Sequence, residues 1–281
     1  MIRQLNSDNI KIKKSVIHLM SKYKGINEMT YEKYYQCGQE LYVQGKYAQA
    51  LVQFKKCNKL KQSNDCLNYI GCCYLMMNDL CFATRIFKKL ILTCPNWERP
   101  LFNLGRVYLK LKNFEDALQC FENAIVINPQ NEDAFYYLGV YYFEVGNYEK
   151  AKMNYEKSIR LNYNSSETHL NLGMCNLRLK KYKEALQEFE IAYELDNNCI
   201  NAVYDKGMVF INQGKYKEAV DTLLLVYKQI PEDLDVMMDI AHCYYKLEDY
   251  ESAHVWVKNL LEIEPQHDLA NKLLKRLSSL M

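Results

Sequence analysis

The sequence predicts an all-α fold assembled from tandem helical hairpins, and three observations carry that prediction. Breakers are scarce: 10 Gly and 5 Pro stand in 281 residues, less than half of the roughly 12% that an average chain holds. The glycines recur, with Gly71, Gly105, Gly139, Gly173 and Gly207 each 34 residues apart and Gly38 preceding them by 33. Alanines keep the same register at Ala50, Ala83, Ala117, Ala151, Ala185, Ala219 and Ala253, as do four of the five prolines, Pro95, Pro129, Pro231 and Pro265. A period of this length marks an array in which each unit is one supersecondary hairpin. An all-β sandwich would need many more turn residues, and a chain that is 49% hydrophobic and 25% charged is not of disordered composition.

Taken in order, residues 1–30 read as a basic amphipathic helix followed by a linker. Ile10, Val16, Ile17, Met20 and Tyr23 form its apolar side, and Gly25 breaks it. Seven repeats then begin near residues 31, 64, 98, 132, 166, 200 and 234 and run to residue 266. Each holds two amphipathic stretches of about 14 residues split by a short polar turn. Gly45, Gly146 and Gly214 sit at such turns, where a left-handed residue can end the first helix. Thr30, Ser63, Asn131, Ser165 and Asp233 stand just before first helices and are expected to cap them. The small columns allow two helices to approach. The aromatic column Phe54, Phe87, Phe121, Tyr155 and Phe189 fills space in the stack, continued by Leu223 and Val257. Pro at a unit boundary stops the second helix, while Pro100 sits in the first turn of a helix, where it is tolerated.

Residues 267–281 place Leu269, Leu273, Leu277 and Leu280 at helical spacing, a capping helix for the last stacking face. The pattern weakens in repeats four to six. Asn176 replaces an aromatic, Lys206 stands where Leu is usual, and Tyr163 and Asn197 replace boundary prolines. That stretch is expected to be the least regular.

Charge and chemistry narrow the function. Residues 1–95 carry a net charge of +9 and residues 96–281 one of −7, within a total of +2. No part is basic enough to announce nucleic acid as a partner. Eleven Cys without a repeated C-x-x-C pattern read as reduced thiols acting as small hydrophobes. They point to a reducing compartment, with the cytoplasm as the expected location. The first 24 residues are polar and basic, unlike a signal peptide, and no apolar run approaches the ~20 residues of a bilayer-spanning helix. No metal site, cofactor or catalytic motif is found. The five His are scattered, and His242 and its neighbour Cys243 point about 100° apart on a helix. An enzyme is therefore not expected.

The third repeat, with Leu101, Leu104, Gly105, Tyr108, Ala117, Phe121, Ala124 and Pro129, resembles the tetratricopeptide repeat, a 34-residue helix-turn-helix unit. The resemblance spans residues 31–266 and implies a right-handed α-solenoid whose first helices line a concave face. By that resemblance a protein or peptide partner would meet Arg99, Phe102, Asn103, Arg106, Lys110, Tyr136, Tyr137, Val140, Phe143, Leu170, Asn171, Met174 and Arg178. An apolar patch rimmed by charge suits protein binding. Some members bind chaperone C-termini through a clamp of Lys, Asn and Arg, which no window of three repeats reproduces here. Others hold an extended backbone on an Asn ladder. Only Asn103 and Asn171 fit it, with Gln36, Tyr69, Tyr137, Asp205 and Asp239 on the other rungs. The expected function is a non-enzymatic interaction scaffold or adaptor. The alternatives are an RNA-binding helical repeat and the recognition subunit of a larger enzyme complex, and a second copy of the chain is a further candidate partner.

Overall fold

A computed structural model describes residues 30–280 of the chain. The helix expected within residues 8–24 lies outside the described residues. Among the described residues there are fifteen helices and no strand, and they fall into two compact units, Met1–Asn113 and Phe114–Met281. The described part of the first unit holds α1 (Tyr31–Val43), α2 (Tyr47–Leu60), α3 (Asn64–Met76), α4 (Leu80–Thr93) and α5 (Glu98–Lys110). The second holds α6 (Phe114–Ile127), α7 (Glu132–Glu144), α8 (Tyr148–Leu161), α9 (Ser166–Arg178) and α10 (Tyr182–Leu195), then α11 (Ile200–Asn212), α12 (Tyr216–Gln229), α13 (Leu234–Lys246), α14 (Tyr250–Ile263) and α15 (Asp268–Ser278). Within each unit every helix packs on the next in chain order. First helices also touch the first helix of the next repeat, as α3 does α5 and α9 does both α7 and α11. This is the tandem-hairpin α-solenoid arrangement expected from the period.

Side-chain caps mark five of the first-helix starts. The side chains of Thr30, Ser63, Asn131, Ser165 and Asp233 accept backbone N–H bonds from the first turns of α1, α3, α7, α9 and α13. Each hairpin turn closes with a paired bond. Lys46 N donates to Leu41 O at 2.9 Å and Gly45 N to Tyr42 O at 3.0 Å, and the same pair of bonds recurs in the other six turns. The pattern requires a left-handed residue. Gly45, Gly146 and Gly214 supply it at φ of 73°, 78° and 73°, but Asn78, Lys112, Lys180 and Glu248 take the same place at 62°, 56°, 59° and 61°. Sequence reading found the three glycines and missed the four side-chain-bearing residues. The paired bonds hold those four in a conformation that costs a non-glycine residue about 1–2 kcal/mol.

The core of five hairpins is one interlock. A β-carbon at Gly139 would lie 2.6 Å from Tyr155 Cε1, and one at Gly173 would lie 2.5 Å from Phe189 Cε1. Gly38 stands likewise against Phe54, Gly71 against Phe87 and Gly207 against Leu223. The ring of the second helix thus occupies the space a side chain on the first helix would need. In the last repeat the division shifts, with Ala241 in the glycine column and Val257 in the ring column of one buried cluster. Ala270, Leu273 and Leu277 of α15 join that cluster and cover the final repeat.

Repeats four to six keep the same helix lengths as the others, 13 and 14 residues. Their departures from pattern are met one by one. Asn176, only 1% exposed, accepts from Lys152 Nζ at 2.9 Å. His169, 2% exposed, donates from Nε2 to the carbonyl of Tyr163 at 3.0 Å, while its Nδ1 lies 2.7 Å from Glu188 Oε2. These contacts hold the boundary that elsewhere carries Pro. Lys206 pairs with Glu190 at 3.5 Å.

All eleven cysteines are free thiols. Cys57 and Cys66 are both fully buried, with sulfurs 2.8 Å apart, and burial first, then the Cys66 contact, pushes the Cys57 thiol up to about 12.

The interlock predicts a coupled pair. Gly139→Ala should lower stability by ~1–3 kcal/mol. On a Tyr155→Val background, which copies the last repeat, the same change should cost measurably less, the coupling appearing as a difference of at least about 0.5 kcal/mol in denaturant titrations. Equal losses on both backgrounds would refute the interlock.

Candidate functional site

First helices of successive repeats are joined at a fixed register, the fifth residue of one to the sixth of the next. In the first unit the rings of Tyr35 and Tyr69 meet edge to face at 5.7 Å, and Asn103 Nδ2 donates to Asn68 Oδ1 at 3.1 Å. In the second unit Asn171 Nδ2 donates to the Tyr136 hydroxyl at 3.0 Å, and the Tyr204 hydroxyl donates to Asp239 Oδ2 at 2.8 Å. The Tyr136 hydroxyl in turn donates to Glu167 Oε1 at 2.7 Å. Burial raises the Tyr136 hydroxyl above the ordinary phenol range, and the carboxylate of Glu167 adds to that. The Tyr204 hydroxyl is raised in the same way, by burial and then by its bond to Asp239.

One rung of the second unit differs. Thirty-five residues before Asp205 the fifth position is Leu170, which has nothing to donate. Among the described residues no hydrogen bond or ion pair reaches the Asp205 carboxylate. Burial pushes its carboxyl up to about 6, opposed only in part by the charge of Arg178. Asp239 is also raised by burial, but there the bond from Tyr204 pulls the other way. Asp205 lines a cavity of roughly 370 Å³ between α9 and α11, together with Met174, Leu177, Arg178, Lys180, Tyr182, Tyr204, Met208 and Asn212.

The thirteen residues expected at a partner surface are placed as follows. In the first unit Phe102 and Asn103 are buried, Asn103 being 4% exposed, so they build the surface more than they present it. Arg106 donates to Asn103 Oδ1 at 3.2 Å and lies over the Phe102 ring. Arg99 and Lys110 are exposed. In the second unit Tyr136 is 9% exposed and packs edge to face on Tyr137 at 4.9 Å, with Val140 and Phe143 half-buried in the same cluster. Leu170 and Met174 are half-buried beside the next cluster, Asn171 joins the rung to Tyr136, and Arg178 is exposed. Sequence reading omitted Tyr204 and Met208 and left Asp205 as a failed Asn rung. Comparing each residue with the one 35 places on would have found every rung but Tyr35–Tyr69, which is 34 apart.

Residues 110–192 match the family described as anaphase-promoting complex, cyclosome, subunit 3, and residues 210–277 match the tetratricopeptide repeat family. No curated protein matches the chain. Among solved structures, the chain is similar to YrrB, a tetratricopeptide-repeat protein described as having an unusual peptide-binding site. Identity is 26%, covering 67% of this chain and 97% of that one, with a TM-score of 0.58. A thermophilic tetratricopeptide-repeat protein of Thermus thermophilus, TTC0263, is 20% identical, covering 65% of this chain and 100% of its own, at a TM-score of 0.59. The Cut9–Hcn1 hetero-tetramer of the same cyclosome machinery gives a TM-score of 0.72 at 18% identity, covering 94% of this chain, which spans about half, 52%, of that one. The two likenesses of 20% and 18% identity speak for the fold alone.

The unpartnered carboxylate has a consequence for stability. The folded-state pKa of Asp205 lies above its unfolded value of 3.8, so its ionisation opposes folding above about pH 6 and the penalty is relieved as pH falls toward 4. Asp205→Asn should therefore be more stable than wild type by about 1–3 kcal/mol at pH 7.5. The advantage should shrink steadily in melts taken at pH 6, 5 and 4. A constant difference across that range would contradict the assignment.

Proposed function

We propose that this tetratricopeptide-repeat chain is an interaction scaffold that holds a peptide or a helix of a partner protein along the first helices of its second unit. Repeats of this family are in general non-catalytic surfaces for protein partners, since stacking hairpins yields an extended face instead of an enclosed reaction centre. The observation that carries the reading is the half-buried apolar run on that face. Val140 and Phe143 on α7, Met174 and Leu177 on α9 and Met208 on α11 remain partly open after the core is complete. Met suits such a surface because its unbranched chain adapts to the shape it meets. The peptide-binding site named for YrrB supports the same reading.

A second reading is a building subunit of a larger assembly. The match of residues 110–192 to the cyclosome subunit family favours it. It differs from the first in requiring a stoichiometric complex instead of exchangeable binding.

Met174→Lys together with Met208→Lys should abolish capture of peptides selected on the wild-type chain from a random display library. The circular-dichroism melt should stay within a few degrees of wild type, since both side chains are already partly in water. Undiminished capture would remove these helices from the binding surface.

A further inference from the structure

Each junction between first helices in the second unit carries a rung, and the Leu170–Asp205 rung is the one that its own residues leave incomplete. At the neighbouring rungs a tyrosine hydroxyl meets the sixth-position side chain, Asn171 in one case and Asp239 in the other. At Asp205 the fold supplies a carboxylate and an aliphatic side chain in place of a donor. Arg178 acts on Asp205 through its charge but makes no ion pair with it. Beside the carboxylate is an open cavity of roughly 370 Å³, room for a long side chain. Its walls include Met174, Leu177 and Met208, which would line the aliphatic stem of a lysine or arginine while the charged head met the carboxylate, and Tyr182, Tyr204, Asn212 and the exposed Arg178 and Lys180 complete the lining.

The surroundings carry the same sign. On the exposed and half-exposed faces of α7, α9, α11 and α13 stand Glu132, Asp133, Glu144, Glu167, Asp205, Asp235 and Asp239, against Arg178, Lys206 and Lys246, with Lys180 just past the end of α9. A partner segment carrying positive charge is therefore complementary to this face, whereas an acidic one would be repelled.

We infer that the cavity beside Asp205 is a specificity pocket for a lysine or arginine side chain of the bound segment, the cation completing the rung that Leu170 leaves open. This rests on the reading of the second unit as a peptide-binding surface. The residue that sets the specificity is Leu170 as much as Asp205, since a tyrosine there would satisfy the carboxylate from within.

The test uses the full chain and a random dodecapeptide display library. Peptides selected on wild type should share a Lys or Arg at one position. Replacing that residue in the synthetic peptide by norleucine should weaken binding to wild type about tenfold or more and binding to Asp205→Asn by less than about twofold. Leu170→Tyr, which keeps the carboxylate and supplies the hydroxyl that Asp239 receives from Tyr204, should weaken the cationic peptide about tenfold as well. Selected peptides without a common cation, or an equal norleucine loss in wild type and Asp205→Asn, would overturn the pocket while leaving the binding surface standing. If the library yields no binder to wild type, the surface reading fails and the pocket with it.

Discussion

The structure depends on an absent atom. Where the first helix of a hairpin would carry a β-carbon, the second helix inserts a ring, and at Gly71, Gly139 and Gly173 the space left would not admit even a methyl group. The helices can close to this distance only because one partner gives up all its volume. The rings of Phe54, Phe87, Tyr155 and Phe189 are 0–1% exposed as a result, and burial on that scale is what stabilises a unit too small to fold alone. The alanine column on the second helix serves the same closeness. The last repeat shows that total volume is what matters, since Ala241 and Val257 share it differently.

From that closeness follows the regular spacing of everything outside it. Hairpins of 13 and 14 residues repeat their turn bonds in the same places, and the first helices present equivalent positions side by side. Departures are absorbed locally. A missing boundary proline is met by His169 bridging a carbonyl and a carboxylate, and a missing aromatic by Asn176 bonded to Lys152. Buried polar groups of this kind stabilise only when each is satisfied, and these are.

The fold was largely legible in the sequence because its cause is periodic. Gly, Ala and Pro at fixed spacing, the five capping side chains and the leucines of α15 report a backbone requirement directly in residue type. The turn residues Asn78, Lys112, Lys180 and Glu248 were not legible. Their left-handed conformation is imposed by the paired turn bonds and not by a preference of their own. The candidate site was half legible. Its helices and its apolar members follow from the register, but Phe102, Asn103 and Tyr136 are buried where the register suggested open surface. The Asp205 environment was missed because it lies in no single repeat. It arises from two residues 35 apart whose side chains fail to match, and a column read one at a time does not show a mismatch.

The rungs also bear on how near-identical modules find their correct neighbours. A chain of similar hairpins invites a hairpin from one copy to dock at the wrong step of another, a characteristic failure of repeat proteins. The rungs Asn68–Asn103, Tyr136–Asn171, Leu170–Asp205 and Tyr204–Asp239 are all different. Slipping by one step would set Leu170 against Asn171 and take from that amide the Tyr136 hydroxyl it bonds in order, although Tyr204 would then meet Asp205. Their variety makes each step chemically distinct although every hairpin has nearly the same shape.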